Sequence, residues 1–226
     1  MPKYLLGMPV CNKHLDYFKD TLRNFERSIA AGTFTDFEVR LFDTGDGVSN
    51  NSPFAESYTW RVPDVKLTAN ENAAAVFTDL GNSECEYAVF FEDDLKFCLD
   101  FVGSVDRWLT RRSVEYPLYA FYASYSQIRE QCNKKRDFWR YPTSHFYGTQ
   151  CVCVKRGLAK VFGEAIKADT RPILYDMVMK DVLGGIGRYL LASAPCFVEH
   201  VGIRSSIHTH AFHQSFQFIG ENRSYQ

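Results

Sequence analysis

A continuous run of five apolar residues, Tyr-Ala-Val-Phe-Phe at 87–91, ends directly in three carboxylates, Glu92, Asp93 and Asp94. The run is too short for a buried helix and is typical of a strand that is covered on both faces. Such strands occur in sheets with helices packed on either side. The feature therefore predicts an α/β fold with acidic groups at the carboxyl end of a buried strand, where open α/β sheets bind ligands.

The rest of the chain alternates between strand and helix patterns. Further strands are predicted at 3–10, 37–42, 118–123, 148–154, 189–192 and 196–201. Helices are predicted at 14–30, 70–80, 99–112, 157–168 and 173–183. The composition of 45–63 and 124–147 is loop-like or irregular. Without a linker or an internal repeat, this order predicts a single domain, 1–226, with a mixed, mostly parallel central sheet flanked by helices.

The composition excludes several classes of protein. Hydrophobic residues make up 46% and charged residues 23% of the chain, which is a globular balance, and the net charge of −1 creates no overall attraction to nucleic acid or anionic membranes. No segment approaches the ~20 apolar residues that span a bilayer, and the first residues lack the apolar stretch of a signal peptide. Most cysteines lie in apolar runs, and Cys151 and Cys153 lack zinc-knuckle spacing. We therefore expect a cytoplasmic protein.

The three adjacent carboxylates need an explanation, because like charges repel strongly in a poorly solvated site. A divalent cation would offset that repulsion, and Mg²⁺ or Mn²⁺ commonly takes one or two protein carboxylates together with substrate phosphates. The alternative is that Asp93 or Asp94 caps the next helix while the other acids are solvated. Taken alone, the acidic residues leave both interpretations open.

Several segments resemble GT-A glycosyltransferases. Residues 87–95, preceded by an Asn-bearing helix at 70–75, resemble their DXD-type region, and residues 5–10 resemble their first strand. Residues 194–206, which contain a proline, an apolar strand, a His, a Gly and a Ser, are similar to a segment of branching N-acetylglucosaminyltransferases and of glycosyltransferase domains related to collagen modification. The resemblance implies a GT-A-like, Rossmann-like fold and a metal-dependent transfer of sugar from a nucleotide-sugar to a hydroxyl group.

The resemblance also implies roles for individual residues. Asp94 would bind Mn²⁺ or Mg²⁺ directly, with His200 as a further ligand. The residues that would hold the nucleotide-sugar are Pro9, Asp43, Asn70, Asn72, Glu92, Asp93 and Gly148. Among these, Asp43 would hold the nucleoside, the acids at 92 and 93 would contact ribose or metal-bound water, and Gly148 would let the backbone approach a ligand closely.

Transfer with inversion also needs a base that takes a proton from the acceptor hydroxyl. Asp176, on the helix after Pro172, matches the position of a catalytic acid in such enzymes, and Asp181 is the substitute candidate. The alternative for Asp176 is a surface ion pair with Lys180, four residues later. A retaining enzyme would not need this base, so the sequence leaves both roles and the stereochemistry open.

Cations alternate with aromatic residues at 129–141, including Arg136, Trp139, Arg140 and Tyr141. These residues would bind the acceptor by clamping phosphates or stacking on rings, or else they form a solvated loop. The acceptor would be a glycan, a protein or a nucleic-acid base such as a hydroxymethylated DNA base. Near the end of the chain, His208, His210 and His213 form either a zinc site or, as we prefer, a tail.

Two other classes of function compete with the transferase. One is a non-catalytic carbohydrate- or nucleic-acid-binding module on the same scaffold, which loss of the metal ligands would signal. The other is a metal-dependent phosphohydrolase, which normally needs acids on more than one strand end. The sequence retains candidate ligands and shows one convincing acidic strand end.

Overall fold

The structure, a computed structural model, describes residues 1–11, 15–54, 56–202, 215 and 217–226. Its strands are β1 (Tyr4–Val10), β2 (Phe37–Asp43), β3 (Thr59–Arg61), β4 (Tyr87–Phe91), β5 (Leu95–Phe97), β6 (Tyr119–Ala120), β7 (Phe138–Pro142), β8 (Cys151–Lys155), β9 (Tyr189–Ser193) and β10 (Val198–His200). Its helices are α1 (Leu15–Ala30), α2 (Val48–Asn51), α3 (Ala69–Asn82), α4 (Phe101–Thr110), α5 (Gln127–Asn133), α6 (Arg156–Ala168) and α7 (Tyr175–Ile186).

Eight strands form one sheet in the order β3-β2-β1-β4-β8-β6-β9-β7. Four neighbouring pairs are parallel, namely β3 with β2, β2 with β1, β1 with β4, and β6 with β9. Three pairs are antiparallel, namely β4 with β8, β8 with β6, and β9 with β7. The mixed, mostly parallel sheet with flanking helices confirms the predicted fold class. β4 lies near the middle of the strand order, so the acids that follow it lie near the middle of the sheet, at the carboxyl end of this strand.

The apolar run of β4 is continuous because both of its faces are covered. Alternate residues enter a core against α1 and α4 on one face and a core against α3, α6 and α7 on the other. Phe91 stacks on Phe25 of α1 with ring centroids 5.6 Å apart, and Phe90 stacks on Phe77 of α3 at 4.9 Å. Rings bury more apolar area than other side chains, so these contacts fix β4 firmly between the helical layers.

Two features hold α3 in place beside the sheet. Its first turn has a capping box, in which the Thr68 hydroxyl accepts from the backbone of Glu71 and the Glu71 carboxylate accepts from the backbone of Thr68 at 2.7 Å. Farther along, a Cβ on Gly81 would lie 2.4 Å from the backbone nitrogen of Lys160 in α6, so glycine permits the close approach of the two helices. The first turn of α3, which carries Asn70, is therefore a fixed platform.

The prediction of irregular structure at 124–147 is wrong, because α5 and β7 lie there. β7 is the edge strand of the sheet and pairs only with β9 among the described strands. The loop-like stretch at 45–63 likewise contains the short α2 and β3. Short elements and edge strands have one solvated side, which weakens the apolar pattern that a sequence can show.

The sequence pattern also did not predict β5, and the other differences concern the ends of elements. The strand expected at 118–123 is paired in the sheet only as β6, and the strand expected at 196–201 is shortened to β10. β10 lies outside the main sheet and pairs antiparallel with β5. No helix in the described part of the chain is long and apolar enough to cross a membrane.

Candidate metal and substrate site

The three acids lie between β4 and β5, and β10 brings His200 to them. In the antiparallel pair of β5 and β10, Leu95 is opposite His200. The backbone N–H of Val201 donates to the carbonyl of Asp94 at 2.9 Å. A histidine 106 positions farther along the chain is thereby fixed beside the acids by backbone hydrogen bonds.

Glu92, Asp94 and His200 form a cluster that can hold a metal ion. One ligand atom from each residue lies within 4.8 Å of the other two. His200 Nε2 is 3.0 Å from Asp94 Oδ2, and these side chains are 14% and 18% exposed. Asp94 Oδ1 is buried and has no hydrogen-bond partner among the described residues. An unpartnered carboxylate oxygen beside a second carboxylate and an imidazole suits a divalent cation.

Glycine at position 202 is required by the geometry of the cluster. A Cβ there would lie 2.0 Å from Asp94 Oδ2 and 3.1 Å from His200 Nε2. A side chain would therefore push the Asp94 carboxylate aside and crowd the His200 ring. Gly202 lets the backbone pass directly over them.

Burial and mutual repulsion disfavour the charged forms of the acids. The pKa of Glu92 is raised to about 7, first by burial and next by the charge of Asp94. The pKa of Asp93 is raised well above its usual range by the same two causes in the same order. A nearby cation favours the carboxylate form, so a bound metal ion would reverse these effects.

Two hydroxyl groups hold Glu92. Tyr175 donates to Glu92 Oε1 at 3.1 Å, and Thr149 Oγ1 lies 3.1 Å from the same oxygen and 2.9 Å from the phenol oxygen. The Glu92 backbone N–H donates to the carbonyl of Gln150 at 2.9 Å. Gly148, just before Thr149, has a φ of 80°, which glycine adopts readily, and it turns the chain into β8 at this point.

Asp93 is directed away from the metal cluster. Its Oδ2 lies 3.4 Å from the backbone nitrogen of Cys11, just after β1, and its carbonyl accepts from Thr21 at 2.9 Å. Pro9 lies two residues before Cys11 on β1. The alternative that Asp93 or Asp94 caps the next helix is wrong, because the chain continues into β5 and α4 begins later, after Asp100.

Asp43 lies at the carboxyl end of β2 and is 1% exposed. Its carboxylate accepts four hydrogen bonds of 2.9–3.1 Å, from the backbones of Gly45, Asp46 and Ser49 and from the Ser49 hydroxyl. The side chain therefore shapes the loop that leads into α2. Its predicted contact with a nucleoside remains a prediction.

The two candidate asparagines of α3 have different surroundings. Asn72 is 1% exposed and donates through Nδ2 to the carbonyl of Phe42 at 3.2 Å, while its buried Oδ1 has no partner within the described structure. Asn70 instead reaches the start of α7. Its Nδ2 donates to the carbonyl of Ile173 at 2.8 Å, and its Oδ1 accepts from the backbone of Tyr175 at 3.0 Å.

The two candidate bases also differ. Asp176 lies in the first turn of α7, is 9% exposed, and has a buried Oδ1 that no described residue contacts by a hydrogen bond. This environment does not match the solvated ion pair with Lys180. Asp181 is exposed and lies 2.8 Å from Arg171. The structure therefore buries Asp176, directly after Tyr175 in the first turn of α7, and leaves Asp181 on the surface.

Three of the predicted acceptor residues lie on β7, so the interpretation of a solvated loop is wrong for them and fits only Arg136. Trp139 and Tyr141 share one face with ring centroids 4.7 Å apart, and Tyr141 is buried in the core. Arg140 lies 4.3 Å from the ring of Tyr189 on β9. Arg136 is exposed just before the strand. Binding of the acceptor by these residues remains a prediction.

Sequence reasoning missed Thr149, Tyr175 and Gly202 as parts of the site. Each is next to, or two positions from, a residue that the sequence does point to, yet their contacts with the acids join distant parts of the chain. The histidines at 208, 210 and 213 lie outside the described residues. Cys151 and Cys153 lie buried on β8, as expected.

No family model and no curated protein sequence matches this chain. Solved structures do match. S. aureus TarS 1-349 has a TM-score of 0.57 at 10% identity, and the same protein in complex with UDP has 0.59 at 11%. Each match covers 85% of this chain and 58% of the TarS chain. The similarity shows that this chain shares the fold of that part of TarS, with a mixed, mostly parallel sheet flanked by helices.

Proposed function

We propose that this chain is a glycosyltransferase that moves a sugar from a nucleotide-sugar to an acceptor hydroxyl, with Mn²⁺ or Mg²⁺ held by Glu92, Asp94 and His200. The observation that carries the proposal is Asp94 Oδ1, which is buried and has no hydrogen-bond partner among the described residues, inside a cluster of two acids and an imidazole. The fold adds support, because a structure of TarS holds UDP. When bound, the cation offsets the charge of the departing diphosphate.

The donor would lie along the carboxyl ends of β1, β2 and β4. Pro9 and Asp93 lie at this edge, and the loop organised by Asp43 borders it. Asn72 offers a buried acceptor oxygen to an N–H or O–H of the donor. Desolvated acceptors of this kind favour a ligand that supplies the missing donors, because an analogue without them leaves a buried polar atom unpaired.

Asp176 would be the base. Its carboxylate accepts the proton of the acceptor hydroxyl while the hydroxyl oxygen bonds to the anomeric carbon, and the bond from that carbon to the diphosphate breaks. This step inverts the anomeric centre. The acceptor would be a glycan, a protein or a nucleic-acid base, approached from the side of Arg136, Trp139 and Arg140. The buried Oδ1 of Asp176, which no described residue contacts by a hydrogen bond, favours a catalytic role over a binding module without catalysis.

Calorimetry tests the donor site. We expect UDP, or another nucleoside diphosphate from a panel, to bind in the presence of Mn²⁺, to lose most of its affinity in EDTA, and to lose it equally in Asp94→Ala. Asp181→Ala, which changes an exposed acid, is the matched control and should bind like wild type. Equal binding with and without metal would contradict the proposal.

A further inference from the structure

Tyr175 is fixed at two points that serve different parts of the site. Its hydroxyl donates to Glu92 at 3.1 Å, and its backbone N–H donates to Asn70 at 3.0 Å. Between these points its ring packs against Phe90 of β4 with centroids 5.9 Å apart. A residue held at hydroxyl, ring and backbone has little freedom to move independently of the acids.

The partners of Tyr175 are themselves rigid. Asn70 lies in the capped first turn of α3. Its side-chain amide donates one hydrogen bond to, and accepts one from, the segment where α7 begins, so it links the two helices. Burial, and next the charge of Glu92, raises the pKa of the Tyr175 phenol well above its usual range. The phenol therefore stays protonated and can act as a donor at any ordinary pH.

Asp176 is the residue directly after Tyr175, in the first turn of the same helix. A change in the direction of the Tyr175 hydroxyl requires a change in its backbone or its ring, and the backbone is shared with Asp176. The contacts thus form one path from Glu92 through Tyr175 to the candidate base. Thr149 lies within hydrogen-bond distance of both the Tyr175 phenol and the Glu92 carboxylate. It therefore adds a second contact between them at the metal end of the path.

We propose that Tyr175 is a positioning residue that couples the metal site to the first turn of α7, so that filling the metal site fixes Asp176 for the acceptor. The inference rests on the proposed function. Tyr175 and Thr149 both contact Oε1 of Glu92, so they would orient this carboxylate for a cation. Outer partners of metal ligands that fix a ligand's orientation in this way influence metal affinity.

The first test is the affinity for Mn²⁺ alone, measured by calorimetry without nucleotide. Tyr175→Phe keeps the ring against Phe90 and removes only the hydroxyl, and we expect it to weaken Mn²⁺ binding about tenfold, as outer partners of metal ligands typically do. Tyr189→Phe, at an exposed position on β9, is the matched control and should bind like wild type. Wild-type affinity in Tyr175→Phe would overturn the proposal.

The second test is hydrogen exchange of the backbone at 173–178, with and without saturating Mn²⁺. In wild type we expect Mn²⁺ to slow exchange there, and in Tyr175→Phe we expect that slowing to be lost even at saturation. Equal slowing in both proteins would refute the coupling. If Asp94→Ala binds Mn²⁺ like wild type, the proposed function itself fails. If only Tyr175→Phe does, only the coupling fails.

Discussion

The carboxyl ends of β2 and β4 are both followed by acidic side chains, but the surroundings of these acids are opposite. After β2, the carboxylate of Asp43 accepts four hydrogen bonds from its own loop. After β4, Asp94 keeps a buried oxygen without a described partner, and burial raises the pKa of Glu92 to about 7. The hydrogen bonds of Asp43 are thus supplied by its own loop, without a ligand. The second group keeps a buried carboxylate oxygen that no described hydrogen bond satisfies, which is the condition of a binding site rather than of a structural acid.

The difference comes from the segment after each strand. Gly45 and Gly47, with φ of 88° and 76°, let the loop after β2 fold back so that its amides point at Asp43. The chain after β4 goes straight into β5, where Leu95 donates to Thr21 at 2.9 Å and its neighbours pair with β10. Few backbone amides therefore remain for the acids of β4.

The largest expected effect concerns turnover at the proposed site that follows β4. If Asp176 is the base, Asp176→Asn should lower turnover of the nucleotide-sugar by about 10²–10⁴-fold and leave binding of the nucleoside diphosphate nearly unchanged. Release of nucleoside diphosphate measures the first, and calorimetry the second. Asp181→Asn, on the exposed face of α7, serves as the control. Unchanged turnover in Asp176→Asn would remove it as the base.

The next largest effect concerns Asp43 at the end of β2, and it should appear in the free energy of unfolding rather than in turnover. Asp43→Ala leaves several loop donors without their acceptor, and we expect a loss of about 2–3 kcal/mol in the free energy of unfolding. Urea denaturation measures it. Asp20→Ala, in an exposed surface pair with Arg23, should change stability by less than about 0.5 kcal/mol. Wild-type stability in Asp43→Ala would show that the four hydrogen bonds are not what holds the loop.

The smallest effect concerns Glu92 after β4. Replacing this acid should raise the free energy of unfolding, whereas replacing Asp43 should lower it. A raised pKa means that folded, metal-free protein holds the Glu92 proton more tightly than unfolded protein does, so this group costs stability as pH rises from about 4.5 to about 7. Glu92→Gln removes that cost. Without metal, we expect the variant to gain on the order of 1 kcal/mol over wild type at pH 8 and little at pH 4. The same gain at both pH values would contradict this explanation.

The fold class and the place of the three acids in it could be predicted because their signals are local. The apolar run and its three acids indicate a covered strand with charge at its end, and resemblance supplied His200. The contacts of Glu92 with Thr149 and Tyr175 join positions 57 and 83 residues apart, and no local pattern encodes them. The four hydrogen bonds that Asp43 accepts depend on the directions of loop amides. The formation of β7 depends on its pairing with β9. Both of these features are visible only in the folded chain.

Anomalous X-ray scattering from crystals grown with Mn²⁺ tests the central claim most directly. We predict a manganese peak in contact with Asp94 and His200, with Glu92 at or next to the ion, and no peak at Asp43. A manganese position elsewhere, or none at Asp94 under conditions where a nucleoside diphosphate is bound, would contradict the claim that these acids form a metal site.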